Sequence, residues 1–110
     1  MNLDIQHKQT NETHEISLNG EIDAYTAPKL REVLFPITEK REQKIIIDLQ
    51  QVNYMDSTGL GIFVGAMKAT KKSGSTLKLS GATNRVRRLF EITGLTEVID
   101  LDNGVKGEAR

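Results

Sequence analysis

Tyr54-Met55-Asp56-Ser57-Thr58-Gly59-Leu60-Gly61-Ile62-Phe63-Val64-Gly65 decides how the chain folds. It follows the β-branched run Ile45-Ile46-Ile47-Asp48-Leu49. That run lacks alternation across its isoleucines, so it reads as a central strand covered on both faces, as in a parallel sheet. Asp-Ser-Thr-Gly then marks a helix start. Ser57 is a good cap for free backbone N–H groups, and Asp56 stands at the positive end of the helix dipole. Such an end receives anions, including a phosphate esterified to the hydroxyl itself. The helix is expected over residues 57–72, with Leu60, Phe63, Val64 and Met67 facing inward and Lys68, Lys71 and Lys72 near its negative end. Gly59, Gly61 and Gly65 each cost about 1 kcal/mol relative to alanine inside a helix. Three of them imply that core or partner comes close to this backbone.

Outward from this unit the pattern alternates. Leu3, Ile5 and His7, then Ile16 and Leu18, have period two on either side of a polar connection over residues 8–13, which predicts a hairpin. Gly20-Glu21-Ile22-Asp23 ends the second strand. Thr26 is a candidate N-cap, with Pro28 in the first turn. Leu30, Val33, Leu34 and Ile37 share one helical face, and Pro36 predicts a kink or stop near Phe35. Residues 39–44 read as a solvated charged loop. Leu77 and Leu79 mark another strand, Thr83 or Asn84 caps a third helix carrying Val86, Leu89 and Phe90, Gly94 stops it, and residues 98–101 form an edge strand. Residues 102–110 read as a frayed tail.

The order is β-β-α-β-α-β-α-β: an α/β fold with a mixed, mostly parallel sheet of four to five strands packed with helices. In 110 residues this is one domain, with a core over about residues 3–101. Function in such sheets gathers at the carboxyl ends of the strands, where Asp23 and residues 53–58 would share a surface.

Composition excludes several classes. Charged residues are 27% and the formal net charge is zero, so no global field draws the chain to nucleic acid or anionic lipid. Arg85, Arg87 and Arg88 read as a solvated helix face. There is no cysteine, hence no disulfide or thiolate metal site, which fits a cytoplasmic protein. Met1-Asn2-Leu3-Asp4 lacks the basic and apolar regions of a signal peptide, and no apolar run approaches the ~20 residues that span a bilayer. His7 and His14 read as exposed polar side chains, because no third ligand recurs at metal spacing. Asp23, Asp48 and Asp56 are too scattered for an acidic pocket. No base is placed to activate Ser57 as a nucleophile. The glycines from Gly59 to Gly65 offer an alternative, a small nucleotide-binding domain. They fall inside the helical pattern, however, and no acid follows about 20 residues on. On the residues alone, Ser57 reads first as a plain cap.

Met55-Asp56-Ser57-Thr58-Gly59-Leu60-Gly61 resembles the signature of STAS-domain anti-sigma factor antagonists. Gly20-Glu21-Ile22-Asp23 and Arg88-Leu89-Phe90-Glu91-Ile92-Thr93-Gly94-Leu95 match further landmarks of that family, in order, across residues 3–101. The likeness is to the branch serving the general stress response of Gram-positive bacteria. It implies a cytoplasmic regulatory binding protein and not an enzyme, without cofactor or metal. Its implied partners are an anti-sigma factor serine/threonine kinase and a PP2C-type serine phosphatase, with no nucleic acid or membrane. The unphosphorylated form would bind the kinase and release a sigma factor. Phosphorylation of Ser57, with Thr58 as the neighbouring alternative, would prevent binding. Asp23, Asp56, Ser57, Thr58, Gly59, Leu60 and Gly61 are the implied partner-binding residues.

Overall fold

The computed structural model describes residues 2–102. The chain runs β1 (Leu3–Thr10), β2 (Thr13–Ile22), α1 (Ala27–Thr38), β3 (Lys44–Met55), α2 (Ser57–Ser73), β4 (Thr76–Ser80), α3 (Asn84–Ile92), a 3-10 turn (Leu95–Glu97) and β5 (Asp100–Leu101). The expected alternation is therefore present. The hairpin strands continue through the polar residues expected to connect them, and the turn is only Asn11 and Glu12, with Asn11 at φ 55°.

Strand order in the sheet equals chain order, β1-β2-β3-β4-β5, with β1 antiparallel to β2 and every other pair parallel. Right-handed crossovers that always step the same way place every helix on one face. Burial follows this winding. His14, Ile16 and Leu18 of β2, Ile45, Ile47 and Leu49 of β3 and Leu79 of β4 are buried, whereas Glu15 and Ser17 are exposed and Ile46 and Asp48 half-buried. The expectation that the isoleucine run is covered on both faces is thus corrected: β3 has one covered face. The rings of Phe63 in α2 and Phe90 in α3, centroids 6.2 Å apart, close the core above it.

Other local expectations change for identifiable reasons. Pro36 neither kinks nor stops α1, which runs to Thr38. Leu30 and Leu34 before it and Ile37 after it are all buried, so the core holds both turns, while Glu32, whose carbonyl loses its donor to proline, is exposed. The buried stripe of α2 is Leu60, Phe63, Ile62, Ala66 and Thr70, rotated from the expected face; Val64 and Met67 are half-buried. Asp102 is not frayed: its N–H donates to Leu79 O (2.7 Å) and its carbonyl accepts from Arg87 Nη2 (2.9 Å). The rest of the expected tail lies outside the described residues.

The histidines also differ from expectation. His14 is fully buried, its Nδ1 lies 2.9 Å from Nε2 of exposed His7, and the rings stack at 5.1 Å. His14 Nε2 lies 2.7 Å from Gln43 Oε1, an oxygen that can only accept. His14 therefore donates through Nε2, and in the neutral tautomer this leaves Nδ1 to accept from His7 Nε2. The pair bolts the hairpin to the loop before β3.

Candidate functional site

Two irregularities shape the far end of the sheet. The β2–β3 register shifts between Ser17 and Asn19 and again between Gly20 and Glu21. Such bulges re-aim side chains and often border sites. Past them, burial in β3 leaves period two: Val52 and Met55 are buried, Asn53 and Tyr54 exposed. Ile22 and Met55, the last residues of their strands, pair side by side, and Asp56 N donates to Ile22 O at 3.3 Å. The start of α2 is therefore fastened directly onto two strand ends.

The cap of α2 is Asp56, not Ser57. Asp56 is extended (φ −115°, ψ −169°), and its Oδ1 accepts from Thr58 N (2.9 Å) and Gly59 N (3.4 Å). A carboxylate one residue earlier has the reach that a helix cap requires and adds a favourable charge at the dipole. Ser57 becomes the first helical residue. It is exposed, and among the described residues its hydroxyl has no hydrogen-bond partner.

The neighbouring glycines separate into two kinds. A Cβ on Gly59 would lie 2.7 Å from Met55 Cγ and 2.8 Å from Ile22 Cγ2, so Gly59 lets the helix press onto the strand ends. On Gly65 it would lie 3.1 Å from Phe35 Cζ, where α1 meets α2. On Gly61 it would meet nothing within 4 Å. Of the implied binding segment, Gly59 and Leu60 turn into the core, Ser57 and Gly61 are exposed, and Thr58 is half-buried. Because Gly59 to Gly65 all lie within α2, they form no loop that could cradle a nucleotide phosphate.

Asp23 lies beside this helix start, as its strand end dictates. It is only 6% exposed. Its Oδ1 accepts from Tyr25 N (2.9 Å) and Thr26 N (3.0 Å), while Thr26 Oγ1 accepts from Asp23 N (2.9 Å) and donates to Glu21 O (2.8 Å). Thr26 does occupy the cap position of α1, but its hydroxyl makes no cap bond there. This knot turns Tyr25 outward, 85% exposed. Asp23, Tyr25, Asn53, Tyr54, Asp56 and Arg85 line one open groove of about 430 Å³. Sequence reasoning missed Tyr25, Tyr54 and Arg85. The available signal was an aromatic inside an Asp-Ala-Tyr-Thr turn, where no core needs it.

Asp23 and Asp56 thus line the same groove, whereas Asp48 is occupied with Gln50 N (2.9 Å). Among the described residues no group of three or more His, Cys, Asp or Glu could hold a metal ion, and no helix is long and apolar enough to cross a membrane. The arrangement is a surface made of an anchored helix start, two exposed tyrosines and, among the described residues, an unbonded hydroxyl.

A model of the STAS domain matches residues 4–107. The chain belongs to the STAS domain family. Within that family, the anti-sigma-B factor antagonist of Listeria monocytogenes serovar 1/2a (strain ATCC BAA-679 / EGD-e) is 50% identical over 109 residues, 98% of this chain and 95% of the relative. The anti-sigma-B factor antagonist of Staphylococcus aureus (strain NCTC 8325 / PS 47) is 42% identical over 108 residues, 98% of this chain and 100% of the relative. The motif resemblance is thereby borne out, placing this STAS domain among anti-sigma factor antagonists. The solved anti-sigma factor antagonist SpoIIAA shares the fold. Its unphosphorylated form gives a TM-score of 0.75 at 24% identity, covering 91% of this chain and 89% of SpoIIAA. Its phosphorylated form gives 0.70 at 23%, covering 91% and 92%.

Proposed function

We propose that this STAS domain antagonises an anti-sigma factor by partner switching. In its unphosphorylated form it binds an anti-sigma factor that is a serine/threonine kinase, which frees a stress-response sigma factor. The kinase phosphorylates Ser57, the modified domain no longer binds, and a PP2C-type serine phosphatase restores it. The reading makes the domain a regulatory binding protein rather than an enzyme. The observation that carries it is the division of labour at the start of α2. Asp56 holds the helix end, so the exposed Ser57 hydroxyl has no structural duty and can be modified without dismantling the fold.

Full-length similarity to two anti-sigma-B factor antagonists supports the reading, as does the exposed Gly61, whose missing side chain no neighbour in the fold requires. A phosphate adds about −1.5 to −2 charges and three acceptor oxygens. An interface fitted to a neutral hydroxyl would meet bulk and uncompensated charge, a cost of a few kcal/mol. Each ~1.4 kcal/mol is tenfold in affinity, so that cost suffices to release the partner.

The test is incubation with the anti-sigma kinase and ATP, followed by intact mass, peptide mapping and binding. One phosphate on Ser57 is expected, with loss of binding. Ser57→Ala should bind whether or not ATP is present, and Ser57→Asp should bind poorly while remaining folded. Equal affinity of the phosphorylated and unmodified proteins would refute the switch, and phosphate on Thr58 alone would refute the site.

A further inference from the structure

A second groove continues the site along α3. It has a volume of about 530 Å³ and is walled by Tyr54, Met55, Arg85, Arg88, Leu89 and Ile92. Tyr54 and Arg85 belong to both grooves, so the two form one continuous concave surface. Its floor is apolar where solvent would be expected. Ile92 is 74% exposed and Tyr54 42% exposed, two of the four large hydrophobic residues left uncovered among the described residues. Single exposed apolar side chains are ordinary, but two around a shared groove beside a site mark an interaction surface.

The three arginines of α3 part company here. Arg87 is half-buried and donates to the Asp102 carbonyl at 2.9 Å, tying down β5. Arg85 and Arg88, one turn apart, stand on the groove side of the helix. Both are exposed, and neither is in an ion pair among the described residues. The solvated-face reading of this basic run therefore holds for Arg85 and Arg88, exposed beside an apolar floor, and fails for Arg87, which fastens the fold.

We propose that this groove receives an acidic amphipathic segment of the anti-sigma kinase, its apolar side chains lying on Ile92, Leu89 and Tyr54 and its carboxylates facing Arg85 and Arg88. The inference rests on the partner-switching reading and specifies the chemistry of the partner. Guanidinium groups favour paired carboxylates because their fixed donors match both oxygens. An apolar floor between two cations selects a segment in which hydrophobic and acidic residues alternate around a helix or strand. Contacts here are made by side chains other than Ser57, which lines neither groove. They add affinity irrespective of phosphorylation, while the helix start decides whether that affinity can be used.

The experiment measures kinase binding by the parent, Arg85→Glu/Arg88→Glu and Ile92→Ser, all unphosphorylated, from about 50 to about 300 mM salt. Urea denaturation of each variant accompanies the binding; these exposed positions should leave the midpoint near the parent's. The charge-reversed variant is expected to lose at least about tenfold in affinity at low salt and to show a flatter salt dependence, chiefly through slower association. Ile92→Ser should lose affinity through faster dissociation with the salt slope unchanged. Folded variants that bind within about twofold of the parent would overturn the groove and leave the Ser57 switch standing. A parent that fails to bind would overturn both. Variants that change self-association and not kinase binding would assign the groove to a second copy of this chain and overturn the proposal.

Discussion

Replacing Gly59 by alanine puts a methyl carbon 2.7 Å from Met55 Cγ and 2.8 Å from Ile22 Cγ2, both far inside ordinary contact distance. Neither neighbour can yield cheaply. Ile22 is fully buried with a stiff β-branched side chain, and Met55 is 4% exposed and would be struck in mid-chain. Overpacking of this kind costs about 1–3 kcal/mol, and two hard contacts against the strand ends point to the upper part of that range. Alanine returns about 1 kcal/mol through its helix propensity. The net expectation is a loss of about 2 kcal/mol, or a fall in Tm of roughly 8 °C or more. Gly61→Ala, two residues on, is the internal control. With nothing within 4 Å of its Cβ it should gain about 0.5–1 kcal/mol. The same chemical change at two sites in one helix should therefore move stability in opposite directions. Urea denaturation monitored by circular dichroism reads both, with m unchanged so that midpoints compare directly. A Gly59→Ala midpoint at or above the parent's would refute the close approach of α2 to the ends of β2 and β3.

Two further outcomes follow from single contacts. Asp56→Ala removes the cap accepting from Thr58 N and Gly59 N and should cost about 1 kcal/mol, whereas Asp56→Asn keeps an acceptor and should cost only a few tenths, as read from urea midpoints. The pKa of His7 is lowered from 6.5 by desolvation, then by His14 on β2 and by Lys40 in the connection before β3. The unfolded chain therefore binds the extra proton first: the contribution of His7 is intact above 6.5 and is lost as pH falls from there through the lowered value. Urea midpoints taken from about pH 7.5 to about pH 5 should decline, and less steeply in His7→Gln; equal slopes would contradict the assignment.

Element order was legible because each element carries its own period: two in β1 and β2, 3.6 in α1, α2 and α3. What the period leaves open is which partner covers each face. Ile45, Ile46 and Ile47 read as doubly covered, since a local run says nothing about winding. Strand order equal to chain order sends every helix to one side and leaves Ile46 half-buried. The stripe of α2 was misplaced for a related reason. Gly59 lets the start of this helix press onto the strand ends and Gly65 lets α1 come close, and in that seating Ile62 and Ala66 face inward. The register shifts in β2 and β3 have no sequence mark beyond Gly20, yet they turn Tyr54 outward and Met55 under the helix. His14 was misread because burial of a histidine depends on a partner 29 residues away, Gln43.

The division between Ser57 and Asp56 decides what a phosphate would do at this position under the proposed switch. A helix start leaves four backbone donors without intrahelical partners. Here Asp56 N is taken by Ile22 O, and the amides of Thr58 and Gly59 are taken by the Asp56 carboxylate. Among the described residues, only the amide of Ser57 itself remains of the four. A phosphate on Ser57 therefore gains the dipole, worth about 0.3–1 kcal/mol, but not the nest of free amides that an uncapped helix would offer. Displacing Asp56 would exchange one anion for another at a fastened helix end, with little to gain. The fixed carboxylate would instead repel the proposed phosphate and favour its outward placement. A capping serine would have drawn its own phosphate back onto the helix and hidden much of its charge. If Ser57 is phosphorylated as proposed, giving the cap to Asp56 would leave that charge on the surface, where the partner would meet it.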